Sequence, residues 1–374
     1  MAYRILHMAD LHMEASFASS GVSGQLGAWR RADLQATLAR LLALAREQQV
    51  DAVTIGGDLF EDRLASVDIS ELLAQQFSKL APIRVFVAPG ECDPYTSDSL
   101  YALTRWSENV SIFSRGELTR VTLAPGLFLW GAACPPLPAA RLMAPREVGR
   151  HLLLLHAICA HERAFSQRGL FAVTERDLRQ GGWAGALLGH QHGAQRGADD
   201  IFIYPGSPEP LAPEEDALRH GVALLTVGET DLHVELLPTN QWRYVTLRVD
   251  LDGCETDHEV ARRVHHALAE CEGSGDQRTI CYLTIQGRPA EPLDRAKLVQ
   301  NTSSPMQVVW RFALSGAYDP EVIQQEQTVR GLLARRFLAR SADTSLQERD
   351  GERAVLEMAL GALDGKQVQD DATA

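Results

Sequence analysis

Carboxylates and imidazoles recur at one kind of place in this chain, directly after short apolar runs. Asp10 and His12 follow residues 4–9. Asp58 follows residues 53–55 and two glycines, and Glu91, Cys92 and Asp93 follow residues 83–88. His156 ends the run 152–155, and His190 and His192 follow residues 186–188 and Gly189. These side chains are ligands of borderline-hard divalent ions. Two such ions about 3.5–4 Å apart clamp a phosphate and activate water for in-line displacement. Asp58, just past the two glycines, is the candidate bridge between them. In extended chain an Asp-x-His or His-x-His pair points both side chains one way, because strand periodicity is two. Taken singly, each piece has a plainer reading: Gly-Gly-Asp is a common turn, and one histidine is more often structural than ligating. His7 and His151 read as strand or surface residues. The joint pattern points to a centre for two divalent ions.

Positioning these groups requires strands that end together. Residues 4–9, 51–57 and 83–88 read as strands, and helical periodicity covers 30–49 and 69–80, with a Gly/Ser-rich loop over 13–28. This β-α-β-α-β order predicts a mainly parallel sheet with ligands at its carboxyl edge. Residues 110–113, 118–123 and 127–130 read as short strands in antiparallel pairing. Strands at 152–155, 186–188 and 201–204, a short helix over 174–179 capped by Thr174, and a hairpin of 222–227 with 232–237 complete the first part. The expected class is α/β, two packed sheets flanked by helices.

A boundary is expected near residues 238–240. Beyond it, 244–249, 259–271, 280–285 and 308–314 read as a small β-α-β-β module. From residue 319 the chain reads as helical, with one apolar stripe at Leu332, Leu333, Phe337 and Leu338 and another at Val355, Leu356, Leu360 and Leu363. These stripes suit either a helical hairpin packed on its own domain or a surface for a partner's helices. Residues 367–374 read as a frayed tail.

The chain of 374 residues is 45% hydrophobic and 23% charged, as in ordinary globular proteins. Its formal net charge of −13 repels nucleic acid in bulk, so any DNA binding needs local cations or a partner. Six cysteines without a C-x-x-C pair argue against a disulfide framework and fit a reducing cytoplasm. No apolar run reaches the length of a membrane helix.

The set Asp10-x-His12, Gly57-Asp58, Gly90-x-x-Asp93, His156 and Gly189-His190-x-His192 resembles the ordered motifs of calcineurin-like metallophosphoesterases. With the run Tyr204-Pro205-Gly206-Ser207-Pro208-Glu209-Pro210, it looks like the SbcD-type nuclease subunit of a double-strand-break repair complex, in its YhaO-like branch. The resemblance implies a metallophosphoesterase domain over 1–240, an α+β capping domain over 241–316, and a helical segment over 317–374 that docks an SbcC-like coiled-coil ATPase. It implies a homodimer, through 69–80 or 100–106, and DNA as substrate. It assigns Asp10, His12, Asp58 and His192 to a first Mn2+ ion, and Asp58, His156 and His190 to a second.

The third motif departs from the family. Where the family has Gly-Asn-His followed by Asp or Glu, this chain has Gly90-Glu91-Cys92-Asp93. Glu91 can ligate the second ion but adds negative charge beside a phosphate. Cys92 replaces the imidazole that contacts the phosphate or protonates the leaving oxygen, and losing such help typically costs about 10²–10⁴-fold in rate. Cys92, Asp93 and Asp58 are the candidate catalytic residues. The intact ligand set favours a DNA phosphodiesterase. The altered motif favours a metal-binding structural or DNA-end-sensing subunit. A small-molecule phosphoesterase is disfavoured by the 204–210 run and the added C-terminal modules.

Overall fold

The computed structural model describes residues 2–22, 24–134, 142–144, 147–159, 172–271, 278–289, 293–314, 318, 320–341, 355–356 and 358–363. The chain divides into two compact units, Met1–Tyr244 with Asp276–Thr279, and Val245–Gly275 with Ile280–Ala374. Residues 317–374, expected as a separate docking segment, fall within the second unit in this division. The expected tail at 367–374 lies outside the described residues.

The first unit opens with β1 (Tyr3–Met8), α1 (Gly24–Glu47), β2 (Ala52–Ile55), α2 (Val67–Ser78), β3 (Arg84–Val87), α3 (Leu100–Leu103) and β4 (Val110–Ile112). β5 (Thr119–Ala124), β6 (Leu127–Gly131), β7 (Arg150–His156), β8 (Ile158–Cys159), β9 (Ala172–Val173) and α4 (Glu175–Gly181) follow. It closes with β10 (Gly185–Gly189), β11 (Gln195–Arg196), β12 (Phe202–Tyr204), β13 (Gly221–Val227) and β14 (Leu232–Pro238).

Twelve of these strands build two six-stranded sheets, in the orders β14-β13-β1-β2-β3-β4 and β11-β12-β10-β7-β6-β5, while β8 and β9 pair in parallel on their own. One apolar core lies between them: Ile5, Phe86 and Leu225 from the first sheet meet Leu129, Leu154 and Leu187 from the second. The opposite face of the second sheet packs Leu153, Leu155, Ala186 and Leu188 against Leu178 and Trp183. Strands buried on both faces carry side chains that are apolar in either direction, and Leu152 to Leu155 are all fully buried. The architecture is α/β, with two sheets flanked by helices.

Several local expectations change. The stretch read as a loop over 13–28 already turns helical at Gly24, so α1 starts earlier. β4 does not pair with β5; it lies parallel to β3, while β5 and β6 form the antiparallel pair. Short strands carry too little pattern to choose a sheet, and burial on the partner decides. The helix capped by Thr174 stands as read: its side chain accepts from the Asp177 amide in a reciprocal capping box.

The second unit takes up β15 (Trp242–Asp250) as it leaves the first, then α5 (Asp257–Cys271), β16 (Arg278–Gly287), α6 (Arg295–Asn301) and β17 (Gln307–Leu314). β16 and β17 are parallel, so a crossover must join them, and α6 is that crossover. The module is therefore β-α-β-α-β rather than β-α-β-β. Val260, Val264 and Leu268 of α5 and Leu298 of α6 pack on Cys281, Leu283 and Ile285 of β16. α7 (Pro320–Ile323) and α8 (Val329–Ser341) follow. Tyr318, Ile323, Ala334, Leu356 and Leu360 form a separate small core, with Leu333 and Phe337 packed against it. Leu332, Val355 and Leu363 remain exposed.

Candidate metal centre

The carboxyl ends of β1, β2, β7 and β10 meet where the two sheets come together. Ile55 pairs with Met8 at the end of the first sheet, and Gly189 pairs with His156 at the end of the second. Only glycine allows the ends to approach this closely. A Cβ on Gly189 would run into the Gly56 carbonyl oxygen, and one on Gly57, at φ +93°, would lie 2.7 Å from His156 Nδ1.

The turns beyond the strands are bonded to each other. The amides of Asp10, His12 and Met13 donate to the carbonyls of Gly57, Asp58 and Leu59 at 2.9–3.0 Å. The strand-periodicity expectation fails here in an instructive way. Asp10, His12 and Asp58 lie at φ 47–54° and His190 at φ 105°, so the ligand segments are not extended chain. Left-handed backbone on a residue with a Cβ costs roughly 1–3 kcal/mol each. The hydrogen-bonded turns hold it, and the side chains converge because the turns fold back rather than because a strand alternates.

Asp58, 2% exposed, sits at the middle. Its Oδ2 lies 3.6 Å from His12 Nε2 and 3.5 Å from His156 Nε2. Its Oδ1 accepts from the Cys92 amide at 2.9 Å. Asp10 is fully buried, and both its oxygens accept from the His190 amide, at 2.9 and 3.0 Å. Ligand atoms of Asp10, His12 and His192 lie within 4.8 Å of one another, as do those of Asp10, Asp58 and His156, and those of Glu91, His156 and His190. The structure thus brings together Asp10, His12, Asp58, Glu91, His156, His190 and His192.

Most of the imidazoles are held by the nitrogen that faces away from the cluster. His12 Nδ1 is 2.7 Å from Glu61 Oε1, His192 Nδ1 is 2.8 Å from Glu215 Oε1, and His156 Nδ1 is 2.9 Å from the Gly56 carbonyl. Such partners fix the tautomer and ring orientation of metal-ligating histidines. The buried Nε2 atoms of His12 and His156 have no hydrogen-bond partner among the described residues. Two orphaned nitrogens beside one carboxylate oxygen are what a divalent cation would satisfy. His7 shows the contrast: it is fully buried too, but its two nitrogens lie 3.1 Å from Thr54 Oγ1 and the Leu188 carbonyl.

Electrostatics point the same way. Burial opposes protonation of His12, but the Glu61 bond and the Asp58 and Asp10 charges push its pKa up to about 9. Burial raises the Asp10 pKa, with Asp58 adding to that and the surrounding imidazoles opposing it. Burial also favours the neutral form of Asp58, yet the His156 and His12 charges and the Cys92 bonds hold its pKa below the ordinary carboxylate value. The carboxylates of this site favour a positive charge beside them, whether a proton or a divalent ion.

The third motif divides its work. Asp93 is fully buried and does not face the cluster; its oxygens accept from the amides of Gly90, Asp58 and Leu59 at 2.6–3.0 Å and from the Tyr101 hydroxyl at 2.6 Å. This makes Asp93 a positioning group for the Asp58 turn. Glu91 is exposed and lies 3.5 Å from His190 Nδ1. Burial, with the nearby Asp58, Glu61 and Glu91 charges, pushes the pKa of Cys92 above the ordinary thiol value.

Glu61, Glu215 and Tyr101 carry this geometry without having been singled out in the sequence. Glu61 lies three residues after Asp58, which is a signal of a kind. Glu215 ends a short 3-10 helix, Pro213–Glu215, 23 residues beyond His192 and offers none.

Residues 3–193 match the family model of the calcineurin-like phosphoesterases. The chain is 24% identical over 301 residues to the uncharacterized metallophosphoesterase YhaO of Bacillus subtilis (strain 168), spanning 76% of this chain and 72% of that one. It also aligns with the crystal structure of TT1561 of Thermus thermophilus, at a TM-score of 0.37 and 13% identity, over 63% of this chain and 99% of that one. The family match spans half of the chain and takes in the turns that carry Asp10, His12, Asp58, His156, His190 and His192, so the chain belongs to the calcineurin-like phosphoesterase family.

Proposed function

We propose that this protein is a divalent-metal-dependent phosphodiesterase acting on DNA ends, as the nuclease subunit of an SbcC-like ATPase complex in DNA repair. The observation that carries the hydrolase reading is the pair of buried imidazole nitrogens, on His12 and His156, that have no hydrogen-bond partner among the described residues and flank one oxygen of Asp58. Asp10, His12, Asp58 and His192 would hold a first ion, and Asp58, Glu91, His156 and His190 a second. When bound, such a pair of ions supplies charge neutralisation for a phosphoryl group and an activated water. The protein's own share is orientation. Glu61 and Glu215 set the His12 and His192 rings, and Asp93 fixes the turn that presents Asp58.

DNA as substrate is supported by the likeness of the 204–210 run to SbcD-type subunits. Among the described residues, the exposed Leu332, Val355 and Leu363 fit a helical docking face for the ATPase. The exposed Leu64, Val67 and Leu103 fit a homodimer contact through the α2–α3 region. No described helix is long and apolar enough to cross a membrane. Mn2+ is the first ion to test.

A second reading, a metal-binding subunit that senses DNA ends without efficient cleavage, is favoured by one observation. Glu91 and Cys92 place a carboxylate and a thiol where the family has an amide and an imidazole, leaving no strong proton donor for the departing oxygen. Hydrolysis of a generic phosphodiester with Mn2+, with Asp58→Ala as the control, separates the two. Activity lost in the variant supports the enzyme. Bound metal without activity above the variant supports the sensor.

A further inference from the structure

The proposed hydrolysis leaves the Cys92 thiol without a role. Ligand atoms of His12, Glu61 and Cys92 lie within 4.8 Å of one another. The Cys92 amide donates to Asp58 Oδ1 at 2.9 Å, which ties this residue to the Asp58 turn. Metal–imidazole bonds of about 2.0–2.1 Å and metal–thiolate bonds of about 2.3 Å span donors up to about 4.4 Å apart, close to the spacing within which this group lies. His12 gives an independent sign that an ion belongs here. It is 6% exposed, and its Nε2 has no hydrogen-bond partner among the described residues.

We infer that Cys92 is a metal ligand: its sulfur joins His12 and Asp58 on the first ion and biases the centre towards Zn2+, Fe2+ or Co2+ over Mn2+. The inference rests on the two-ion reading above and deepens it. Soft thiolate donors select thiophilic metals, whereas Mn2+ prefers an all-oxygen or oxygen–imidazole shell. On binding, the S–H bond breaks, a sulfur–metal bond forms, and the proton passes to solvent, so metal uptake releases one more proton than in a chain lacking the thiol. Cys92 thereby exchanges the proton-donor role of the family's imidazole for a role in choosing the ion.

The test is optical and uses the full chain loaded with Co2+ alone. The expected result is a near-ultraviolet sulfur-to-cobalt band in the native chain, absent from both Cys92→Ser and Cys92→Ala, while visible cobalt bands and the number of bound ions are kept. Competition between Zn2+ and Mn2+ is expected to favour Zn2+, by a margin that falls on the order of tenfold or more in either variant. Visible cobalt bands without the near-ultraviolet band in the native chain would overturn the inference. So would a band that survives in both variants, since it would then come from another sulfur. Asp58→Ala is the separate control: if the native chain takes up no Co2+, or the variant takes up as much, the two-ion centre itself fails and the sulfur ligand with it.

Discussion

On one side of Asp58, His12 and His192 each rest Nδ1 on a carboxylate, Glu61 and Glu215. On the other side, His156 rests on a backbone carbonyl, and His190 faces Glu91 at 3.5 Å. The first half is backed by side chains rooted in other turns; the second leans on an exposed carboxylate from the altered motif. Burial, followed by the His156 charge, holds His190 below the ordinary imidazole pKa, with the nearby carboxylates opposing. The difference teaches where the family's chemistry is retained and where it is exposed to change. The His12 and His192 rings are oriented by Glu61 and Glu215, which are not residues of the third motif, so a change in that motif leaves these two supports in place.

The largest effect expected is from Asp58→Ala, which touches both halves. Bound metal should fall from two ions per chain to none by elemental analysis, and metal retained in full would remove Asp58 as the bridge. Next comes the altered third motif. Cys92→His with Glu91→Asn restores the family's residues, and phosphodiesterase turnover should rise, by up to about 10²–10⁴-fold if proton donation limits the native chain. No gain would show that the third motif is not the limiting feature.

Glu215→Gln probes the preorganised half. Loss of the carboxylate behind His192 should weaken one ion by about 10–100-fold in calorimetric titration and leave the other nearly unchanged. Equal weakening of both would mean that the halves are not separable in this way.

The contrast between histidines sharpens the picture further. His7 has both nitrogens occupied, and burial lowers its pKa from 6.5 to about 4 against the pull of its backbone bonds. Between those values the unfolded chain binds the proton and the folded chain does not. Its contribution is therefore complete above the unfolded value and is lost as pH falls towards 4, by about 3 kcal/mol in all. Urea unfolding of the native chain and of His7→Gln at several pH values in this window should show a shallower pH dependence in the variant; parallel curves would show that His7 does not carry it.

The smallest effect is expected at Tyr101→Phe. The hydroxyl bonded to Asp93 is lost, which should cost roughly 1.5–3 kcal/mol of stability and leave the metal count at two. Loss of an ion in this variant would place Tyr101 and Asp93 closer to the chemistry than the geometry does.

The strands and the residues at their ends were legible because burial on both faces imposes unbroken apolar runs, and because a carboxylate or imidazole at the mouth of such a run is conspicuous. The helix capped by Thr174 was legible for a similar reason, since capping is local. The pairing of β4 with β3, and the α6 crossover, were not. A short strand's choice of partner and a seven-residue helix depend on what lies across the core rather than on their own pattern.

The sequence alone determined which side chains are available to a metal and where each strand delivers them, because residue type and apolar runs are local properties. It also determined that the third motif carries a carboxylate and a thiol. Only the tertiary structure decided that the ligands converge through left-handed turns, that Glu61 and Glu215 stand behind His12 and His192, and that Asp93 serves the backbone rather than the site. Those facts depend on distances between segments far apart in the chain. Such distances are set by the packing of two sheets and by the close approach that Gly57 and Gly189 permit.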